Sequence, residues 1–114
     1  MVKKLWNYGF NQLAQVCVTT APLGASDPFT SDVLDVGGNA RLTGTVFSDQ
    51  GGTLVVQQSS DGANWDTDSQ TVTVTGGTGA EFSVEIVAPY AQLVYTNGAT
   101  AQTEFRLYAF TRSV

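Results

Sequence analysis

The sequence contains no histidine. Catalytic arrangements of the Ser-His-Asp and Cys-His types need an imidazole as their base, so both are excluded. A histidine-based metal site is excluded for the same reason. Cys17 is the only cysteine, which rules out an intrachain disulfide. We expect its side chain to be a small buried hydrophobe in a strand.

Charged residues are scarce and mostly acidic. They make up 13% of the chain, against about a quarter in typical soluble domains. The net charge is −5, and no basic stripe follows the chain, so we expect no nucleic-acid partner. An acidic surface is also poorly suited to anionic membranes. Low charge suits surfaces that neighbouring subunits cover.

Long apolar runs are absent too, so no segment is predicted to span a bilayer. The chain begins with two lysines, Lys3 and Lys4, but Asn and Gln residues interrupt the apolar residues that follow. We therefore expect no signal peptide, and synthesis in a reducing cytoplasm. A length of 114 residues suits one domain.

What the sequence does contain is a series of short segments in which apolar and polar residues alternate. Residues 40–47, 82–86, 91–96 and 103–112 show this period of two, which is typical of strands with one buried face. Gly-rich turns separate them, and no helical period is sustained. We predict an all-β fold, a single antiparallel β-sandwich of seven or eight strands, Ig-like or jelly-roll-like, over residues 16–114.

Two local predictions concern the connections. The turn at residues 49–52 predicts a hairpin that pairs strand 40–47 with the strand that follows it. Residues 21–30, which contain Pro22, Gly24 and Pro28, are predicted to be a loop.

The chain is organised around residues 53–65, TLVVQQSSDGANW. A strand of β-forming residues ends in a turn rich in Ser, Asp and Gly. Trp65 follows the turn, and we expect this large side chain to anchor the core.

The N-terminal residues 1–15 differ from the rest because Trp6, Tyr8 and Phe10 alternate with polar or small residues. Two interpretations stay open: a first strand of the domain's own sheet, or an arm that packs its aromatic side chains on a neighbouring subunit. In the last predicted strand, Tyr108 and Phe110 point away from the core face. They need a cover, either from this arm or from another subunit.

Few residues are candidates for chemistry. No carboxylate pair is spaced like the acid and base of a glycosidase among Asp61, Asp66, Asp68, Glu81, Glu85 and Glu104. We expect neither an enzyme nor a cofactor.

The loop at residues 61–68 carries oxygen ligands at alternating positions, which calcium favours, but it lacks the twelve-residue calcium-loop pattern. The simpler interpretation is that Asp61 and Asn64 cap backbone amides. Trp65, Tyr90 and Tyr95 are candidates for stacking on a sugar ring, although packing is the more common role of such residues.

Four segments together resemble small β-sandwich structural proteins of tailed bacteriophages, above all capsid decoration, or cement, proteins. These are QQSSDGANW (57–65), FSVEI (82–86), APYAQLVYTNG (88–98) and QTEFRLY (102–108). The resemblance implies a non-enzymatic virion component on the capsid surface, a homotrimer bound across subunits of the major capsid protein. In that setting Trp6, Tyr8 and Phe10 are expected to contact the capsid, and Tyr108 and Phe110 are expected at a subunit interface.

The segment SDGANW, with APYA after it, also resembles discoidin-type galactose-binding domains. This alternative implies a carbohydrate-binding module of a phage tail or baseplate. Its shallow site would be formed by Asp61, Asn64, Trp65 and Asp66.

Overall fold

The computed structural model describes residues 13–113, which fold into an all-β sandwich of two antiparallel sheets. The prediction of this fold class is confirmed, with nine strands in the described residues rather than seven or eight. They are β1 (Leu13–Thr19), β2 (Pro28–Thr30), β3 (Leu34–Asp35), β4 (Arg41–Ser48), β5 (Gly52–Ser59), β6 (Thr67–Val74), β7 (Ala80–Glu85), β8 (Tyr90–Asn97) and β9 (Phe105–Arg112).

Sheet A has the strand order β1-β9-β4-β7, and sheet B has the order β2-β8-β5-β6, with β3 also paired to β8. The two last strands therefore occupy inner positions: β9 lies between β1 and β4, and β8 lies between β2 and β5. Residues 13–113 contain no helix long and apolar enough to cross a bilayer.

The core lies between the sheets and follows the predicted alternation. Leu107 and Ala109 of β9 and Leu93 of β8 are fully buried, as the period of two requires for inward-facing positions. The rings of Tyr95 and Phe105 meet in the core with centroids 4.8 Å apart. Burial of these apolar side chains is the main stabilising term, at about 25 cal/mol per Å² removed from water.

Gly44 permits the close approach of β4 to its neighbours in sheet A. A Cβ built at this position would collide with the backbone oxygen of Tyr108 and with the Phe82 ring. Any larger residue would push the ring or the strand aside, so packing, and not backbone conformation, demands glycine here.

The predicted hairpin between β4 and β5 is wrong. β4 pairs with β7 and β9, and β5 pairs with β6 and β8, so the turn between them crosses from one sheet to the other. The Asp49 carboxylate holds this crossing by accepting hydrogen bonds from the Thr103 hydroxyl (2.7 Å) and from the backbone N–H groups of Thr103 and Glu104 (3.0 Å each). These bonds, led by that of the hydroxyl, lower the pKa of Asp49 to about 2.

The prediction of a loop over residues 21–30 is also partly wrong, because β2 pairs with β8. Proline is tolerated there because Pro28 is the first residue of a strand at the edge of its sheet. At the N-terminus, β1 begins at Leu13, so residues 13–15 pair with β9 although they were grouped with the arm. The predicted contacts Trp6, Tyr8 and Phe10 lie outside the described residues.

A buried glutamine joins the two sheets. Gln58 of β5 is 1% exposed, and its Nε2 donates to Ser69 Oγ (2.8 Å) and to the Glu85 carbonyl (2.9 Å). Its Oε1 accepts from the backbone N–H groups of Val87 (2.9 Å) and Ala88 (3.2 Å). All the main hydrogen-bonding capacity of the side chain is used, as buried amides require.

Candidate functional site

The outer face of sheet A carries several exposed or half-buried apolar side chains. Tyr108 and Phe110 lie side by side on β9, as the alternation predicted, and both are half-buried. Strand register places further apolar side chains around them. Tyr108 lies opposite Val18 of β1. Toward the two ends of β9, Leu13 lies opposite Arg112 and Phe47 lies opposite Arg106. This face is defined by Leu13, Val18, Phe47, Tyr108 and Phe110.

The face is open and uneven. Leu13 is 54% exposed and Val18 is 48% exposed, which is high for large apolar residues. Two shallow grooves border the aromatic pair, one of ≈ 490 Å³ beside Tyr108 and one of ≈ 620 Å³ beside Phe110. Contiguous apolar surface of this kind marks an interaction site more often than a solvated surface.

All three arginines of the sequence lie on the same face. Arg106 stacks over the Phe47 ring, 4.4 Å from its centroid, and forms an ion pair with Glu104. Arg41 is held by a hydrogen bond from its Nε to Ser83 Oγ (2.9 Å). Held in this way, guanidinium groups lose little conformational freedom when they bind a partner.

The third arginine, Arg112, lies opposite Leu13 and Arg41 in the ladder. Its Nε is buried and has no hydrogen-bond partner within residues 13–113. The sequence pattern already put Arg106 beside Tyr108 and Phe110. The same alternation along β9 extends to Arg112, whereas Arg41 could be added only once the pairing of β4 with β9 was known.

The candidate ligand loop is organised by the Asp61 side chain. Its Oδ1 accepts from the backbone N–H groups of Ala63 (2.9 Å) and Asn64 (2.8 Å), and its Oδ2 accepts from Asn64 Nδ2 (2.7 Å). Ser59 Oγ donates to Oδ1 as well (3.0 Å). These bonds, led by that from the Asn64 N–H, hold the pKa of Asp61 well below its usual range. Asp61 therefore shapes the turn, as the capping interpretation stated.

The prediction that Trp65 anchors the core is wrong. Trp65 is half-buried and does not belong to the core cluster, because it lies in the connection before β6, which begins only at Thr67. Tyr95, by contrast, is fully buried and is not available to a sugar. Tyr90 lies next to the turn, where a Cβ at Gly62 would be 3.5 Å from its ring, and Asp66 is exposed.

The carboxylates considered for chemistry are divided between two regions. Glu81 and Glu85 face outward from β7, on the same side as the arginines, whereas Asp66 and Asp68 follow the turn of Asp61. Within residues 13–113, no three His, Cys, Asp or Glu side chains are grouped closely enough to hold a metal ion.

Cys17 is half-buried and packs against the core, as expected for a small apolar residue in a strand. Burial is the main cause that raises the pKa of its thiol, and the charge of Asp32 adds to the effect. A thiol that stays protonated is a poor nucleophile.

A protein-family model described as the N-terminal domain of uncharacterised protein YqxG matches residues 9–112. The chain belongs to the YqxG N-terminal domain family. Protein YqxG of Bacillus subtilis (strain 168) is 31% identical over 94 residues, which cover 80% of this chain and 32% of that protein. The chain thus spans about a third of the length of this curated relative.

Two solved structures are also similar. PBSX exported protein XepA superposes with a TM-score of 0.81 and 25% identity, over 99% of this chain and 40% of XepA. A subunit of Bacillus endospore appendages, described as disulfide-linked pili, superposes with a TM-score of 0.59 and 15% identity, over 100% of this chain and 99% of that one. At that identity the second likeness concerns the fold alone.

Proposed function

We propose that the protein is a non-enzymatic structural component of a bacteriophage virion, one that decorates the capsid and stabilises it by binding across subunits of the major capsid protein. It is made in the host cytoplasm and acts at the capsid surface. Trp6, Tyr8 and Phe10 contact the capsid, and the outer face of sheet A joins subunits of a homotrimer.

The observation that carries the proposal is the composition of the outer face of sheet A. Tyr108, Phe110 and Phe47 lie there with arginines, and exposed aliphatic side chains surround them. Aromatic residues and arginine are enriched in protein interfaces and among the residues that dominate binding energy. A rigid face of this kind suits contact with other protein chains.

The comparisons support a structural role in an indirect way. XepA is named an exported protein, and this name fits a protein that acts outside the cell that made it. Because this chain matches only 40% of XepA and 32% of YqxG, those proteins carry further chain beside the shared domain. The capsid role proposed here rests on the sequence resemblance and on the contact face.

The proposal is tested by sedimenting purified protein with phage capsids that lack it. We expect the wild-type chain to sediment with the capsids. Phe110→Ser should lose most of this binding, because it breaks the contact between subunits and with it the avidity of the trimer. Val94→Ser is the matched control, because Val94 is a half-buried aliphatic residue on the outside of sheet B. Failure of the wild-type chain to bind any capsid would refute the capsid role, and equal binding by Phe110→Ser would refute the role of the outer face of sheet A.

A carbohydrate-binding module is the alternative, and one observation favours it. Trp65 lies outside the core with part of its ring exposed, next to the exposed Asp66, so it is available to stack on a sugar. In a glycan-binding assay, a folded Trp65→Ala variant that loses a glycan bound by the wild-type chain would support this function. The engagement of both Asp61 oxygens within the turn argues against a direct role for that carboxylate.

A further inference from the structure

We propose that copies of this chain associate head to tail: the outer face of sheet A of one copy contacts the acidic end of sheet B of a second copy. The acidic end is defined by Asp35, Asp61, Asp66 and Asp68. This inference deepens the proposed function, since it rests on the outer face of sheet A being a contact surface and names what the face binds.

The first observation is that basic residues are confined to one side of the described structure. Residues 42–105 contain no lysine or arginine. Arg41, Arg106 and Arg112 all belong to the outer face of sheet A, next to Tyr108 and Phe110. Three glutamates lie near these arginines: Glu81, Glu85 and Glu104. The net charge of this side is therefore close to zero, whereas the whole chain has a net charge of −5.

The second observation is that the other side carries acids without basic neighbours. Strand pairing gathers the acidic end: Asp35 lies opposite Tyr90, the turn of Asp61 follows directly from the Ser59–Tyr90 pair, and Asp68 lies opposite Gln57. The four aspartates are exposed.

Three of these carboxylates are also held in place. Asp68 accepts a hydrogen bond from Gln57 Nε2 (2.9 Å), and Asp35 accepts one from the Gly37 N–H (3.2 Å). Asp61 is fixed by its turn. The acidic end thus presents ordered negative charge without a neutralising base in residues 42–105.

Charge complementarity selects this arrangement over a symmetric one. A two-fold stacking of the outer face of sheet A on itself brings together two faces of the same near-neutral composition and leaves the four aspartates of each copy without a basic partner. Contact with the acidic end of another copy instead places arginine against carboxylate, and the aromatic pair is covered at the same time. Complementary charges steer such encounters and suppress the wrong partner.

The size of the face sets the expected strength. Four strands about 4.8 Å apart, each about eight residues long, cover roughly 500 Å². This is less than the ~800 Å² per partner of a standard stable interface, so a single contact is weak. Head-to-tail contacts that close into a ring gain from avidity, and three copies would give the proposed trimer.

The first measurement is the mass of the full chain by sedimentation equilibrium, from about 10 μM to about 1 mM, a range chosen for a weak interface. We expect assemblies of the 12.1 kDa chain that grow with concentration. We expect the dissociation constant to rise by about tenfold or more in high salt, because the exposed charges are then screened. A monomer over the whole range would overturn the proposal.

Two charge-reversed variants then test direction. The sheet A variant is Arg41→Glu with Arg106→Glu, and the sheet B variant is Asp66→Arg with Asp68→Arg. Each alone should remain monomeric, because every copy lacks one half of the contact. An equimolar mixture should associate again, because the intact face of one variant meets the intact acidic end of the other.

This mixture separates head-to-tail from symmetric association. If the sheet B variant alone still self-associates like the wild-type chain, the face binds itself and the proposal is refuted. A mixture that stays monomeric would also refute it. Asp27→Arg is the matched control, because Asp27 precedes β2 at the opposite end of sheet B, and it should assemble normally. Circular dichroism checks that all variants are folded.

The outcome is independent of the capsid assay. A chain that is monomeric in solution and still sediments with capsids would refute head-to-tail association and the homotrimer, and would leave the capsid-binding role standing. A chain that assembles but binds no capsid would do the reverse.

Discussion

Replacing Gln58 should destabilise the sandwich far more than replacing its neighbour Gln57. Gln58 is almost fully buried and makes four hydrogen bonds that tie β5 to β6, β7 and the residues that follow β7. Gln57 is the same residue type on the outside of the same strand, where it bonds Gln92 and Asp68. The pair therefore separates burial and cross-sheet bonding from residue type.

The magnitude follows from the groups that the substitution leaves behind. In Gln58→Leu the chain keeps two N–H donors and one carbonyl acceptor that had used this amide. A buried polar group without a partner costs about 1–3 kcal/mol, and those near the surface recover part of this from water. We expect a loss of about 3 kcal/mol in the free energy of unfolding, a large share of the 5–15 kcal/mol that domains typically have.

Urea unfolding followed by far-ultraviolet circular dichroism measures the effect. With a slope of about 1–3 kcal/mol per molar urea, the midpoint of Gln58→Leu should fall by about 1–3 M. Gln57→Leu should lose less than about 1 kcal/mol, as exposed substitutions usually do. If the two variants unfold within about 0.5 kcal/mol of each other, the buried amide does not hold the sheets together and the reasoning is wrong.

Three further predictions follow from single positions. Gly44→Ala should cost about 1–3 kcal/mol, because its Cβ would meet a strand backbone and the Phe82 ring, and thermal unfolding would check this; an unchanged midpoint would contradict the close approach. Trp65→Ala should stay folded and lose less than the ~3–5 kcal/mol expected for a core aromatic, whereas a variant that fails to fold would restore Trp65 to the core. The pKa of the Asp49 carboxylate is lowered to about 2 in the folded state, from an ordinary value of 3.8, so its stabilisation is present above pH 3.8 and is lost as pH falls toward about 2. The difference in thermal midpoint between wild type and Asp49→Asn should shrink over this interval, and a constant difference would contradict the linkage.

The faces of the strands could be predicted from the sequence because burial on one side leaves a direct signal. In β9 the buried Leu107 and the outward Tyr108 alternate as expected, and β4, β7 and β8 behave alike. Sheet membership leaves no such signal. A short Gly-rich turn has the same composition whether it closes a hairpin or crosses between sheets, and here the distant bonds of Asp49 accompany the crossing.

For the candidate site, too, one part could be predicted from local spacing and the other depends on strand pairing. That Tyr108 and Phe110 share an outward face could be predicted from local spacing, and so could the turn-capping role of Asp61. That Leu13 and Phe47 join the same surface depends on the register of β1 and β4 with β9, which is a long-range property. The prediction that Trp65 is a core residue was wrong because it rested on side-chain size alone. Trp65 lies two residues before β6 begins, in the connection outside the core.

The inner positions of β8 and β9 have a consequence for biosynthesis. Among the described strands, only β5 and β6 are both adjacent in sequence and paired, so this hairpin is the one piece that can form early on the ribosome. Each sheet lacks one of its inner strands until residues 90–112 have been made. At a synthesis rate of about 5–20 residues per second, the earlier strands keep unpaired edges for seconds. Until β9 is made, β1 and β4 lack the strand that lies between them, and a truncation within β9 should abolish folding rather than merely weaken it.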